Sequence, residues 1–483
     1  MIHVYKYKDL RIQIDSADYD YLNHLKKDFT RYVSGYQFMP KFLSGSWNGK
    51  ASMFNTMSRS LPYGLLVDFL RFHKKHYPDV PLDIEPDVKN FFKGGNVEIY
   101  YDLKFVPWDF QQDCIEAALK HSKGIIRSAT GSGKSLMIAY IIKTLLENKK
   151  GKKAIIIVPN LSLIEQFKDD LVDYGFDEDS IGKVSSKSKE WDNIIVISTW
   201  QTLAKNHDRL NDFDIVIVDE VHGAKAHVLK EILSKITTAN YRLGFTGTLH
   251  DATLDLWNVK AYLGPVLRDY TSGELAEQGY VAKCNVNVID INYLQDFEGY
   301  YDDVKDAVFQ NGFRLRVIFQ LVKKLEKKGN ILILVGKVKK EGEFLENYIR
   351  EKDKKGREIV FLSGRDDAKV RNYWRKECDK RKGIILIATY GILQVGVNIP
   401  SLKYIIMAAP FKSKIRVLQS IGRALRQHAE KVDGAQIYDI TDETKYFADH
   451  GIKRLRHYHA ESFNISEFFF EEGEKILFQN INT

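Results

Sequence analysis

The chain has 483 residues, room for about three domains at roughly 150 residues each, and each is large enough to bury its own core. Hydrophobic residues are 44% and charged residues 28%, with 32 Gly and 10 Pro, which excludes a disordered or fibrous chain. The formal net charge of +8 suits a polyanionic partner without naming one, and three cysteines lacking CxxC spacing exclude a disulfide framework or a cysteine-rich zinc site.

The opening MIHVYKYKDLRIQID has no apolar run of a secretory signal, and no window reaches the ~18 apolar residues of a membrane span. A cytoplasmic protein is expected. Residues 31–75 hold seven Lys or Arg against one acid, Asp68, interleaved with nine Phe, Tyr and Trp. This reads as a separate small α+β domain over 1–97, punctuated by Gly94-Gly95 or the Pro107 region. Its basic excess suits DNA phosphates, with Lys41, Lys50 and Arg59 as contacts and Trp47 near a base or ribose. For any single one of its aromatics the domain's core is the favoured reading.

From Gly124 a rhythm begins of short Ile/Val-rich runs followed by stretches with helical spacing. The runs are GIIRSA (124–129), AIIIVP (154–159), IIVIST (194–199), DIVIVDE (214–220) and RLGFTGT (242–248). Continuous apolar strands are those buried on both faces, as in a parallel sheet flanked by helices. The rhythm restarts with ILILVG (331–336), IVFLSG (359–364), GIILIAT (383–389), YIIMAAP (404–410) and QIYDI (436–440), beyond a polar, aromatic segment around 292–303. Two tandem α/β domains are expected, over 98–285 and 286–450, with a tail, 451–483, packed on the second.

The run GIIRSA leads into Thr130-Gly131-Ser132-Gly133-Lys134-Ser135 and a helical stretch. Its two glycines let the backbone turn tightly and aim N–H groups at one point, where a helix N-terminus favours an anion. Lys134 then reaches terminal phosphates, and Ser135 holds Mg²⁺. The strict pattern GxxxxGK[ST] would have glycine at Ser128. Asp219-Glu220-Val221-His222 ends the apolar run DIVIV, placing carboxylates where open α/β sheets bind ligands. Asp219 would hold Mg²⁺, and Glu220 would polarise the attacking water. The plain alternatives are a glycine turn with a surface lysine and two solvated acids.

The order of these segments over 105–430 resembles the superfamily 2 helicases and translocases, in which two RecA-like domains act on ATP. That resemblance implies ATP and Mg²⁺ as cofactors, and in that family a phosphate loop beginning at Ser128 rather than glycine is ordinary. It implies adenine reading by Gln111, with Gln112 as its neighbour and competitor. VPNLSLIEQF, with Pro159, and STWQTL, with Thr199 and Gln201, correspond to nucleic-acid-contacting motifs. Thr246-Gly247-Thr248 and His222 correspond to the coupling between hydrolysis and strand binding. ATYGILQVGVNIP (388–400) implies Thr389 on nucleic acid and Gly396 at the nucleotide, although Asn398 stands where aspartate is common. QSIGRALR (419–426) implies Gln419 in coupling and Arg423 and Arg426 as the guanidinium of the transition state, a charge the first domain does not obviously supply. Segments 35–66, 412–428 and 450–458 further resemble phage recombination helicases. The implied function is a monomeric helicase that remodels branched DNA and R-loops, on DNA or RNA–DNA hybrid, in the cytoplasm of an infected bacterium. Two other readings remain open: a motor subunit of a restriction or defence complex, and a nucleotide-gated scaffold without catalysis.

Overall fold

The computed structural model describes all residues except 9, 96, 222–225, 250–252, 326–328, 392–398, 400, 410–430, 432 and 479–483. The first portion contributes β1 (Ile2–Lys8), β2 (Arg11–Asp15), β3 (Thr30–Tyr32), β4 (Lys50–Ser52), β5 (Ser60–Pro62) and β6 (Leu82–Ile84). They form a four-stranded sheet, β5-β2-β1-β6, and a separate β3-β4 pair. Alternation decides the buried face: Ile2 and Val4 on β1 and Ile12 and Ile14 on β2 turn into the core. The helix Tyr19–Asp28 starts where the Asp18 carboxylate accepts the N–H groups of Asp20 and Tyr21. A second helix, Leu66–His76, lays Phe69 and Phe72 on the same core.

That core also takes Trp257, from the helix Thr253–Leu263 of the following domain. A buried ion pair, Lys260 to Asp68 at 2.9 Å, joins the same surfaces. Gly64 lies so close that a Cβ there would meet the Lys260 carbonyl oxygen at 1.7 Å, so only glycine permits this docking. The small α+β domain and the first α/β domain are thus parts of one compact unit, which comprises 1–128 and 133–269.

The first α/β domain carries β7 (Lys123–Ser128), β8 (Ala154–Val158), β9 (Ile181–Val184), β10 (Ile195–Thr199), β11 (Ile215–Val218), β12 (Tyr241–Thr246) and β13 (Val266–Tyr270). Their order is β13-β7-β12-β11-β8-β10-β9, parallel from β7 through β9. The five apolar runs of the sequence are its five central strands. The two added edges, β9 and β13, are short and mixed in polarity.

The second unit, from Tyr270, carries β14 (Cys284–Asn292), β15 (Ile331–Val335), β16 (Ile359–Leu362), β17 (Ile385–Thr389), β18 (Tyr404–Met407), β19 (Ala435–Asp442) and β20 (Asn464–Glu471). They pair in parallel in the order β16-β17-β15-β18-β19-β14-β20. β14 begins at Cys284 and pairs with β19, and β20, in the tail, extends the sheet beyond it. Two buried ion pairs fasten this unit: Arg314 to Asp442 at 2.9 Å, with the Tyr293 hydroxyl at 2.5 Å, and Arg454 to Asp439 at 2.7 Å, with the Tyr458 hydroxyl at 2.8 Å. Arg454 lies on the helix Ala448–Ala460, so the second pair ties the C-terminal helix to the sheet.

Asp290 on β14 accepts from the Thr441 hydroxyl. Burial, reinforced by the charges of Glu443, Glu467 and Asp439, pushes its carboxyl up to about 7. The folded chain then binds a proton between pH ~4 and ~7 that the unfolded chain has released, so this group's contribution to stability falls as pH rises through that window. Asp290→Asn is expected to melt above the wild type at pH 8 and level with it near pH 4.5. Thermal unfolding followed at both pH values checks this, and a lower midpoint at pH 8 would show that the carboxylate's hydrogen bond outweighs its charge.

Candidate nucleotide and nucleic-acid site

The site is built at the C-terminal tips of three neighbouring strands, β7, β12 and β11. From β7 the chain turns through 129–133 into the helix Lys134–Glu147. Gly131 and Gly133 carry φ of 87° and 79°, the left-handed region that gives the loop its turn. Gly133 meets a second constraint, since a Cβ there would lie 2.4 Å from Nε2 of Gln111. Gln111 is buried against the loop, and its Oε1 accepts the Trp108 N–H at 2.9 Å. Gln112, one residue on, reaches Glu116 on the exposed face at 3.0 Å, which separates the two glutamines.

Lys134 is held at the start of its helix. Its Nζ donates to the Ser128 carbonyl at 3.3 Å and lies 3.9 Å from Oε1 of Glu220, with both side chains largely buried. Ser135 shares a 2.8 Å hydrogen bond with the Tyr174 hydroxyl. Tyr174 ends the helix Leu161–Tyr174, and its place beside the phosphate loop has no signal in the sequence, being 39 residues away.

Asp219 and Glu220 follow β11 directly. Asp219 is 8% exposed, and burial, reinforced by the adjacent Glu220 charge and opposed by Lys134, pushes its carboxyl up to about 7. Its Oδ1 is buried without a hydrogen-bond partner among the described residues. A buried oxygen of this kind, with the Ser135 hydroxyl on the phosphate loop, fits the oxygen donors a hard divalent cation takes. Glu220 sits at φ 49°, the left-handed region that a side chain disfavours. That conformation accompanies contacts on two sides, Lys134 and the Gly247 N–H, which approaches Oε2 at 3.5 Å. Gly247 belongs to a tight turn in which the Thr246 hydroxyl accepts from Thr248 N–H at 3.2 Å and donates to the Thr248 carbonyl at 2.6 Å.

The next tips along the same edge are β8 and β10. Pro159 ends β8, and the Asn160 side chain caps the following helix at Leu163 N–H. Thr199 is buried and caps the helix Trp200–Leu203, while Gln201 beside it is exposed. In the second unit Thr389 is buried at the end of β17. In the α+β domain Lys41 and Lys50 are exposed and Arg59 pairs with Asp15 at 2.6 Å. The Trp47 indole N–H is committed to the Lys50 carbonyl at 2.8 Å. His222, Gly396, Asn398, Gln419, Arg423 and Arg426 lie outside the described residues.

Two parallel α/β domains, a phosphate loop and an acidic strand tip two strands away suit an ATP-dependent helicase, a class that binds nucleic acid. Family models agree segment by segment: residues 2–83 match the N-terminal domain of DNA helicase UvsW, 104–251 the res subunit of type III restriction enzymes, and 314–428 the helicase conserved C-terminal domain. One particular relative extends the likeness to nearly the whole chain. The ATP-dependent DNA helicase uvsW of Enterobacteria phage T4 is 28% identical over 96% of this chain and 98% of its own. Its crystal structure superposes with a TM-score of 0.50 at 26% identity, covering 97% of this chain and 99% of that one. The DNA 3′-5′ translocase XPB2 of Sulfurisphaera tokodaii is 24% identical over 82% of this chain and 93% of its own. A fragment of a type I restriction HsdR subunit from Vibrio vulnificus shares the fold, with a TM-score of 0.59 at 16% identity over 77% of this chain and 70% of that one. Among the described residues no helix is long and apolar enough to cross a membrane.

Gly133→Ala tests the loop's geometry independently of catalysis. The added methyl must displace Gln111 and adopt a left-handed φ, so nucleotide affinity is expected to fall at least about tenfold. A fluorescent-nucleotide titration reads this directly, and unchanged affinity would mean that the loop rearranges on binding.

Proposed function

We propose that this chain is a DNA helicase that unwinds and rewinds forks, four-way junctions and R-loops, moving 3′ to 5′ as a monomer in the cytoplasm of a phage-infected bacterium. The observation that carries the reading is the Lys134–Glu220 approach beside the buried Asp219, at the tips of β7 and β11 with β12 between them. The whole-length similarity to a DNA helicase and to a 3′-5′ translocase supports the substrate and the direction.

Each residue has a role within that reading. The 131–133 backbone cradles the phosphates, with Thr130 at its entrance, and Lys134 clamps the terminal pair. Gln111 reads adenine. Mg²⁺, held by Ser135 and Asp219, would neutralise charge on the phosphate oxygens when bound. Glu220 accepts the proton of the attacking water, which requires its ionised form. Arg423 and Arg426 stabilise the charge that spreads over the γ-phosphoryl oxygens, and Gly396 belongs to the same site. His222, Thr246, Thr248 and Gln419 couple hydrolysis to strand movement. Pro159, Thr199, Gln201 and Thr389 hold a strand by sequence-independent contacts, and Lys41, Lys50 and Arg59 add a grip from residues 1–97. The motor modules follow as 98–285 and 286–450, with 451–483 supporting the second.

The match of 104–251 to a restriction res subunit favours a second reading, a restriction motor. A stoichiometric nuclease co-purifying with the chain would establish it over the first.

Strand displacement on a 3′-tailed duplex, a four-way junction and an R-loop, with ATP turnover measured alongside, tests the proposal. Turnover is expected to rise with forked DNA, and equal rates with and without DNA would refute a motor. Lys134→Ala is expected to abolish turnover, whereas Glu220→Gln should keep nucleotide binding and slow hydrolysis at least about a hundredfold. Arg426→Ala should lower kcat with little change in KM. Full turnover in Glu220→Gln would remove its assignment as base.

A further inference from the structure

We infer that Tyr32 is the outer ring of a base-stacking platform that takes one unpaired nucleobase where single strand meets duplex. This rests on the DNA reading above and gives residues 1–97 a specific ligand. Between 29 and 67 the chain has no Asp or Glu, but it has Arg31, Lys41, Lys50 and Arg59. The aromatics of this stretch separate into two sets. Phe29, Phe54 and Tyr63 are buried in the α+β core. Tyr32, Tyr36, Phe38, Phe42 and Trp47 belong instead to the β3–β4 excursion, and none of them is in that core.

The excursion is built to hold rings in fixed places. Tyr32 stacks on Tyr36 at 4.5 Å with 22° between planes, and Phe42 meets Tyr36 edge-on at 4.8 Å. Gly49, at φ 77°, leaves room for Tyr36, whose ring would lie 2.4 Å from any Cβ there. The Val33 N–H to the Gly49 carbonyl, at 2.9 Å, and the Trp47 indole to the Lys50 carbonyl, at 2.8 Å, close the loop. Tyr32 is therefore backed by a rigid stack, yet half of its surface is open, and Phe38 close by in sequence is 84% exposed. The Lys50 ammonium lies 4.8 Å from the Tyr32 ring centroid. That ammonium lies over the ring, so a base arriving on Tyr32 displaces it and leaves it beside the phosphate the base carries.

These features fit a nucleobase better than a protein side chain. A π-face accepts any base, which a motor without sequence preference requires, and an acid-free basic surround attracts the backbone that carries the base. Trp47, the ring singled out by sequence, pins the loop through its indole N–H.

The test uses the full-length chain with forked DNA carrying a fluorescent purine analogue at the first unpaired position, against blunt duplex of the same length. Tyr32→Leu is expected to weaken fork binding about tenfold and abolish the stacking quench, while blunt-duplex affinity changes less than about twofold. Tyr32→Phe and Tyr32→Trp should retain both signals, since each keeps a π-face. Lys41→Ala with Lys50→Ala should weaken both DNAs and make the salt dependence shallower by about one ion per lost phosphate contact. Equal fork affinity in Tyr32→Leu and wild type, or equal losses on fork and blunt duplex, overturns the platform. If the lysine pair matters and Tyr32 does not, the grip stands without stacking. If neither matters, the DNA role of residues 1–97 falls with it.

Discussion

The ammonium group of Lys134 faces two consecutive carboxylates at the end of a buried strand. Taking Asp219 and Glu220 out of water side by side is unfavourable, because burial and mutual repulsion both oppose ionisation. Asp219 records that conflict in a carboxyl pushed up to about 7, even with Lys134 near. The surrounding structure can be understood as what it takes to deliver that cation. Two left-handed glycines turn the loop, the Ser128 carbonyl receives the Nζ, and the helix begins at the lysine itself. Glu220 takes up a backbone conformation costing about 1–2 kcal/mol per residue, and contacts to Lys134 and the Gly247 amide accompany it.

Sheet order converts this local arrangement into a layout for a motor. Parallel strands present all their C-terminal tips on one edge, and neighbours are ~4.8 Å apart. Along β7-β12-β11-β8-β10 the edge presents the phosphate loop, the Thr246–Thr248 turn, the carboxylates, Pro159 and Thr199 in succession. The residues proposed for nucleotide chemistry and for strand contact in the first domain therefore lie within roughly 20 Å along one edge. The Gly247 amide is where that edge links chemistry to its neighbours, since Glu220 touches both it and Lys134.

What the sequence made legible follows from the same physics. Strands buried on both faces are continuous apolar runs, so β7, β8, β10, β11 and β12 could be read directly, as could β15 to β19. The strands that escaped are those with other demands. β14 reads CNVNVIDIN, where Asn287 donates to the Ile437 carbonyl from within the sheet, and its polar alternation looks unlike its neighbours. β20 is an edge strand whose Phe469 faces solvent while Phe470 is buried, which resembled a packing tail. The phosphate loop and Asp219-Glu220 were legible because their chemistry needs contiguous residues. Tyr174 was not, because only the tertiary fold brings its hydroxyl to Ser135.

The aromatic residues of the first domain show the same limit more sharply. Tyr32 and Tyr63 are the same residue type in one basic stretch, and composition assigns them one role. The fold separates them through backbone position. Tyr63 follows β5, stacks on Phe91 at 3.8 Å and is shielded from solvent, so its ring supports the core. Tyr32 ends β3 where the chain leaves the sheet, so the stack behind it is made from its own excursion rather than from the domain interior. A ring supported in this way keeps its orientation while remaining open, and the ordering cost of binding is met during folding rather than at encounter. That is the property a site needs if it must engage whichever base a moving junction presents.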